Sequence, residues 1–181
     1  RFVNEIRYHG KRTALLMAYY ADNIRKEKRN MEKKQAVVTS DTLTKEQIRE
    51  LAAKSLAGIK NSYAPYSHFH VSAVLLSENG NIYTGNNIEN AAYTPSVCAE
   101  RCAFFKAVSE GERDFAAIAL CGGLKGVVKD YCAPCGVCRQ VMREFCKPDF
   151  KIILVKSEEE WKVYTLSQLL PEGFGPENLR A

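Results

Sequence analysis

The sequence predicts an α/β fold, a three-layer α/β/α sandwich around a mixed five-stranded sheet. Two observations carry this. Short β-branched and apolar runs, at Phe69 to Leu76, Ile82 to Gly85, Ala116 to Cys121, Ile152 to Val155 and Trp161 to Thr165, alternate with stretches of helical periodicity. At 181 residues and 46% hydrophobic, the chain can bury one core on both faces of such a sheet, but two full domains would exceed its length.

Taken in order, residues 1–42 read as a basic, helical N-terminal extension with a linker, and residues 43–181 as the folded body. Leu15, Leu16, Met17, Ala18, Tyr19 and Tyr20 form an apolar stretch ahead of the charged run Arg25 to Lys34. Gln35 to Thr42 supplies the linker, and Met31 is a candidate start for the body proper. Thr44-Lys45-Glu46-Gln47 has capping-box form, with the threonine reaching forward to the backbone and the glutamine reaching back. In the helix that follows, Ile48, Leu51, Ala52, Ser55 and Ile59 share one face, and Ala64-Pro65 ends it. Val71, Ala73 and Leu75 fall on one side of the first strand. Asn79-Gly80 supplies the positive-φ residues of a tight hairpin to the second. After a polar stretch from Asn86 to Asn90, Pro95 and Ser96 announce a helix running to about Ser109. Ala116 to Cys121 is a buried strand and Gly122 to Ala133 a loop. Pro134 opens a helix through Phe145, and Leu166 to Leu170 forms a last short one.

The net charge of +5 raises the question of a nucleic-acid partner, and its distribution argues against one. Residues 1–34 hold 10 Lys/Arg against 4 Asp/Glu, whereas residues 35–181 hold 16 against 17. A near-neutral body offers no electrostatic footprint for a phosphate backbone. No apolar run is long enough to cross a membrane, and the N-terminal residues lack the order of a signal peptide, so a soluble, cytoplasmic protein without a membrane partner is expected. There the 7 cysteines are expected as metal ligands or small buried groups rather than disulfide partners.

Three of those cysteines carry the chemistry. Cys98-Ala99-Glu100-Arg101 and Pro134-Cys135-Gly136-Val137-Cys138 each place thiols at a predicted helix start, where unpaired N–H groups favour thiolate. The i, i+3 spacing puts Cys135 and Cys138 on one face. Cys98, Cys135 and Cys138 are therefore candidate zinc ligands, leaving the fourth tetrahedral position open as catalytic zinc sites do. Glu100 lies about 200° around a helix from Cys98, yet both can converge beyond the first turn. There its carboxylate is a candidate proton carrier. Arg101 is placed to offset the negative charge of three thiolates around one zinc. Two alternatives stay open: Cys102, at i+4 from Cys98, could close a purely structural four-thiolate site, and Cys132 also lies near the ligands.

These residues carry a family resemblance. YAPYSHFHVSAVLL, GNNIENAAY, CAER, PCGVCRQV and TLSQLLPEGF follow in order over roughly residues 43 to 175, and the chain resembles a cytidine deaminase of the small, homotetrameric, three-cysteine type. The resemblance implies one zinc per subunit held by Cys98, Cys135 and Cys138, and Glu100 as proton shuttle. It implies that Asn87 and Glu89 bind the ribose, that Phe69 packs on the pyrimidine, and that the Ala99 N–H reads the ring oxygen. Ala91, Tyr93 and Phe174 match positions through which neighbouring subunits complete each other's sites. The implied reaction is hydrolytic deamination of free cytidine and 2′-deoxycytidine, in pyrimidine salvage, by residues 43–181 as the catalytic domain. This chain departs from the pattern at Cys102 and Ala133, where the family usually has small polar residues, and in its first 40 residues, which have no counterpart.

Overall fold

The structure, a computed structural model, describes residues 38–179; the helix expected in residues 1–34 lies outside them. Five strands form one mixed sheet: β1 (Phe69–Ser77), β2 (Ile82–Asn86), β3 (Phe115–Leu124), β4 (Lys151–Val155) and β5 (Trp161–Thr165), in the order β2-β1-β3-β4-β5. β1 runs antiparallel to both β2 and β3, β3 parallel to β4, and β4 antiparallel to β5. The helices are α1 (Lys45–Gly58), α2 (Ala99–Ser109), α3 (Gly136–Phe145) and the short α4 (Leu166–Leu169), with 3₁₀ turns at Ile59–Asn61 and Pro176–Leu179.

Alternation along the strands builds the layers. On one face Ala73, Leu75, Ile118, Leu120, Ile152 and Leu154 pack with Ala103, Phe104 and Met142 from α2 and α3. On the other, Val74, Leu76, Ala117, Ala119, Ile153 and Val155 pack with Leu51 and Ala52 of α1. Both faces are covered, so the central strands are apolar at nearly every position. α1 carries the expected capping box, with Gln47 N donating to Thr44 Oγ1 and Thr44 N to Gln47 Oε1. Residues 38–42 lie against this body, with Val38 N donating to Glu78 O (2.8 Å) and Ser40 Oγ to Ala116 O (3.0 Å).

Several boundaries differ from expectation. α2 begins at Ala99 rather than near Ser96, because the Ser96 hydroxyl accepts from Asn90 N (3.0 Å) and so stabilises a turn instead of capping a helix. α3 begins at Gly136, with Cys135 rather than Pro134 at its threshold. In the β1–β2 hairpin only Gly80 takes a positive φ (82°); Asn79 instead accepts from Ser77 Oγ and Asn81 N through its side chain. β3 continues three residues beyond Cys121, pairing Gly122 with Val71 and Gly123 with His70. The following loop folds back so closely that a Cβ on Gly123 would meet Val127 O at 2.0 Å.

One glycine seats the site-bearing helix. A Cβ on Gly85 of β2 would lie 2.2 Å from Ala99 O and 2.4 Å from Ala103 N, both backbone atoms of α2. No side chain can yield there, so the whole helix must shift. Gly85→Ala is expected to cost about 3 kcal/mol or more and lower the melting temperature by roughly 10 °C in a thermal scan.

Candidate metal centre and active site

Packing of α2 against α3 on one face of the sheet brings the cysteines together. Cys98 is the N-cap of α2 (φ −77°, ψ 155°) and Cys135 that of α3 (φ −68°, ψ 166°), and neither sulfur caps its own helix. Cys138 is buried one turn into α3. The three sulfurs lie within 4.8 Å of one another, with Cys98–Cys135 at 3.9 Å and Cys135–Cys138 at 3.5 Å. Tetrahedral zinc with Zn–S bonds of about 2.3 Å places its sulfurs about 3.8 Å apart. The donors thus fit zinc in both kind and spacing.

Electrostatics favour the thiolate at Cys98. The Cys98 thiol is pulled down to about 5, chiefly by its hydrogen bond with the Cys138 thiol and further by Arg101 and Cys135. Sharing those interactions and its burial push Cys138 up. Arg101 Nη2 stands 3.6 Å from Cys98 Sγ and 3.4 Å from Ser96 O, so its charge faces the cluster.

Glu100 stands beside the same point. Only 4% exposed, it interacts with both the Cys98 charge and the Cys138 thiol, so the first turn of α2 does direct it and Cys98 together. Burial pushes its carboxyl above the ordinary range, and the Cys98 charge adds to this. A carboxyl that takes up a proton readily yet sits against charge-bearing groups is suited to carrying protons.

Cys102 and Cys132 do not join the cluster, which among the described residues comprises Cys98, Cys135 and Cys138. Cys102 packs toward β2, its Cβ 2.9 Å from the position of a Gly85 Cβ. Cys132 sits over Gly122, its Sγ 2.8 Å from where a Cβ there would stand, and burial pushes its thiol up to about 12. The four-thiolate alternative therefore has no support in the geometry.

The remaining residues divide into two groups. Phe69, 40% exposed at the start of β1, borders a cavity of about 490 Å³ together with Gly122, Tyr131 and Cys132. Ala99 is the first residue of α2, where an N–H has no acceptor within the helix. Asn87 and Glu89 hold the loop before β1: Asn87 Oδ1 accepts from Val71 N (2.7 Å) and Ser62 Oγ (2.5 Å), and its Nδ2 donates to Phe69 O (2.8 Å). Glu89 accepts from Tyr66 N (2.8 Å), Ser67 N (3.1 Å) and Ser67 Oγ. These bonds, the Ser67 hydroxyl foremost, hold its carboxyl below the ordinary range. Sequence reasoning missed Ser62 and Ser67 as partners, since only the fold brings a loop some 22 to 25 residues upstream against them. Ala91, Tyr93 (74% exposed) and Phe174 (58%) lie on the surface of the single chain.

Comparison with known proteins agrees with this geometry. Residues 45–154 match the family described as "Cytidine and deoxycytidylate deaminase zinc-binding region". The cytidine deaminase of Sporosarcina psychrophila is 45% identical over 132 residues, covering 73% of this chain and 94% of that protein. That of Halalkalibacterium halodurans is 43% identical over 129 residues, covering 71% and 95%. The crystal structure of cytidine deaminase from Burkholderia pseudomallei superposes with a TM-score of 0.63 at 40% identity, covering 73% of this chain and 100% of that one. The α/β sandwich and the three-cysteine cluster thus belong to a chain that is a member of the zinc-binding cytidine and deoxycytidylate deaminase family.

Proposed function

We propose that this protein is a zinc-dependent cytidine deaminase that converts cytidine and 2′-deoxycytidine, with water, to the uridine nucleosides and ammonia. The observation that carries the reading is the buried Glu100 carboxyl beside three convergent cysteine sulfurs. Cys98, Cys135 and Cys138 hold the zinc, and Arg101 offsets part of their charge. When bound, the ion supplies a Lewis acid that lowers the pKa of water from 15.7 toward about 7. Glu100 accepts a proton from the attacking water and passes it to ring N3 as the oxygen adds at C4. Its carboxylate then takes the remaining proton from the C4 hydroxyl and delivers it to the amine as the C4–N bond breaks, so that ammonia leaves and the C4 carbonyl forms.

Substrate recognition follows the family pattern. Phe69 packs on the pyrimidine, the Ala99 N–H reads the ring oxygen, and Asn87 and Glu89 grip the ribose hydroxyl. In this chain those two side chains also brace the loop before β1, which sets their positions before substrate arrives. Ala91, Tyr93 and Phe174, exposed in one chain, complete the sites of neighbouring subunits in a homotetramer. Residues 43–181 form the catalytic domain, and the protein acts in cytoplasmic pyrimidine salvage. Among the described residues no helix is long and apolar enough to cross a membrane.

A nucleotide is the competing substrate, since the family spans cytidine and deoxycytidylate deaminases. The ionised Glu89 carboxylate would repel a phosphate beside the sugar. Turnover of deoxycytidine, its monophosphate and a cytosine-containing oligonucleotide decides between them. Deoxycytidine is expected to react with kcat/KM far above both others; a monophosphate turned over as well or better overturns the nucleoside reading.

A further inference from the structure

The geometry points to Arg139 as a positioning residue of the metal centre, tying the Cys135 ligand to the C-terminal segment. The inference rests on the zinc reading above but concerns a residue to which that reading gives no role. Arg139 follows Cys138 in α3, and its guanidinium makes two bonds in different directions. Nε donates to Pro134 O at 2.8 Å, and Nη1 to Leu169 O at 2.6 Å.

The first bond acts directly on a ligand. Pro134 is buried, and its carbonyl belongs to the planar peptide unit that ends at the Cys135 nitrogen. Fixing that oxygen fixes the rotation of the plane, and with it the direction in which the Cys135 Cα–Cβ bond leaves the chain. Proline has no N–H, so the carbonyl is the one backbone handle at this position. The second bond anchors the guanidinium. Leu169 ends α4, where a carbonyl has no acceptor role left inside the helix and a cationic donor is favoured. A planar fork spans two such carbonyls in one rigid geometry, and an ammonium does not.

Neighbouring side chains of α3 provide the contrast. Gln140 Nε2 donates to Phe174 O (2.9 Å), and Arg143 Nε to Gly173 O (3.3 Å). Arg143 also pairs with Glu177 and occupies space that a Cβ on Gly175 would fill, 2.5 Å from its Cζ. Both grip the C-terminal segment without a bond to Pro134. Arg139 reaches both partners, so strain or loosening at Leu169 is transmitted to Cys135 through it.

The test is the rate at which zinc passes from the holoenzyme to a chromophoric chelator, with the melting temperature of each zinc-loaded protein alongside. Outer partners that orient ligands change metal affinity by about 10–100-fold. Arg139→Gln is expected to release zinc faster by about that factor, while Arg143→Gln, which cuts the C-terminal strap alone, stays near the wild-type rate. Arg139→Lys should remain fast despite its retained charge. If Arg139→Gln does not fold, the Lys variant gives the same reading. Release at the wild-type rate from the Arg139 variants, or equally fast release from Arg143→Gln, overturns the positioning role. A wild-type protein that binds no zinc overturns the metal-centre reading itself, which its zinc content shows separately.

Discussion

Glu100→Gln is expected to keep one zinc per chain and the parental melting temperature while lowering kcat for cytidine by about 10³-fold or more. A single positioned acid–base group contributes about 10²–10⁴-fold, and in the proposed mechanism one carboxyl serves the attacking water, ring N3 and the departing amine in turn. Glutamine matches the shape of the side chain, but it cannot carry a proton. The substitution should not unfold the protein, because burial and the Cys98 charge already disfavour the charged form of Glu100. Steady-state kinetics with metal analysis on the same sample measures this. A variant within tenfold of the parent removes Glu100 from the mechanism.

Cys135→Ala is expected to lose zinc, activity and stability together. An ion held by Cys98, Cys135 and Cys138 would join the thresholds of α2 and α3, two helices that otherwise meet through modest packing over the sheet. At free zinc near 1,000 times the dissociation constant, binding to the folded state alone adds about 4 kcal/mol. For a chain of this size that amounts to roughly 10 °C in melting temperature. Wild-type protein treated with a chelator should fall to the level of the variant, and the variant should not respond to the chelator. Because the core between the sheet and α1 contains none of the three ligands, the metal-free protein is expected to unfold cooperatively at its lower temperature. Unchanged melting after loss of zinc would show that the ion has no part in stability.

Much of this was legible because the signals are local. The capping box at Thr44 and Gln47, the apolar strands, and the i, i+3 spacing of Cys135 and Cys138 depend on residues a few positions apart, and the structure bears each out. The departures come from partners that these local patterns do not register. Ser96 has the chemistry of a helix cap but is taken by Asn90, which moves the start of α2 to Ala99 and leaves Cys98 at the threshold. Gly122 and Gly123 resemble a loop in sequence, yet β1 extends alongside them and the returning chain needs their missing side chains. Cys102 satisfies a helical spacing for a fourth ligand, and only the contact of α2 with β2 shows that it faces elsewhere. Asn87 and Glu89 have the look of free ligand-binding groups. Their bonds to Ser62, Tyr66 and Ser67 depend on a loop whose approach no local pattern signals.

The most direct measurement is ultraviolet-monitored conversion of cytidine by zinc-loaded protein, by chelated protein, and by chelated protein to which zinc is returned. The account predicts uridine and ammonia in equal amounts from the loaded protein, none after chelation, and recovery with one zinc per chain. Absence of conversion by protein carrying a full complement of zinc would contradict it.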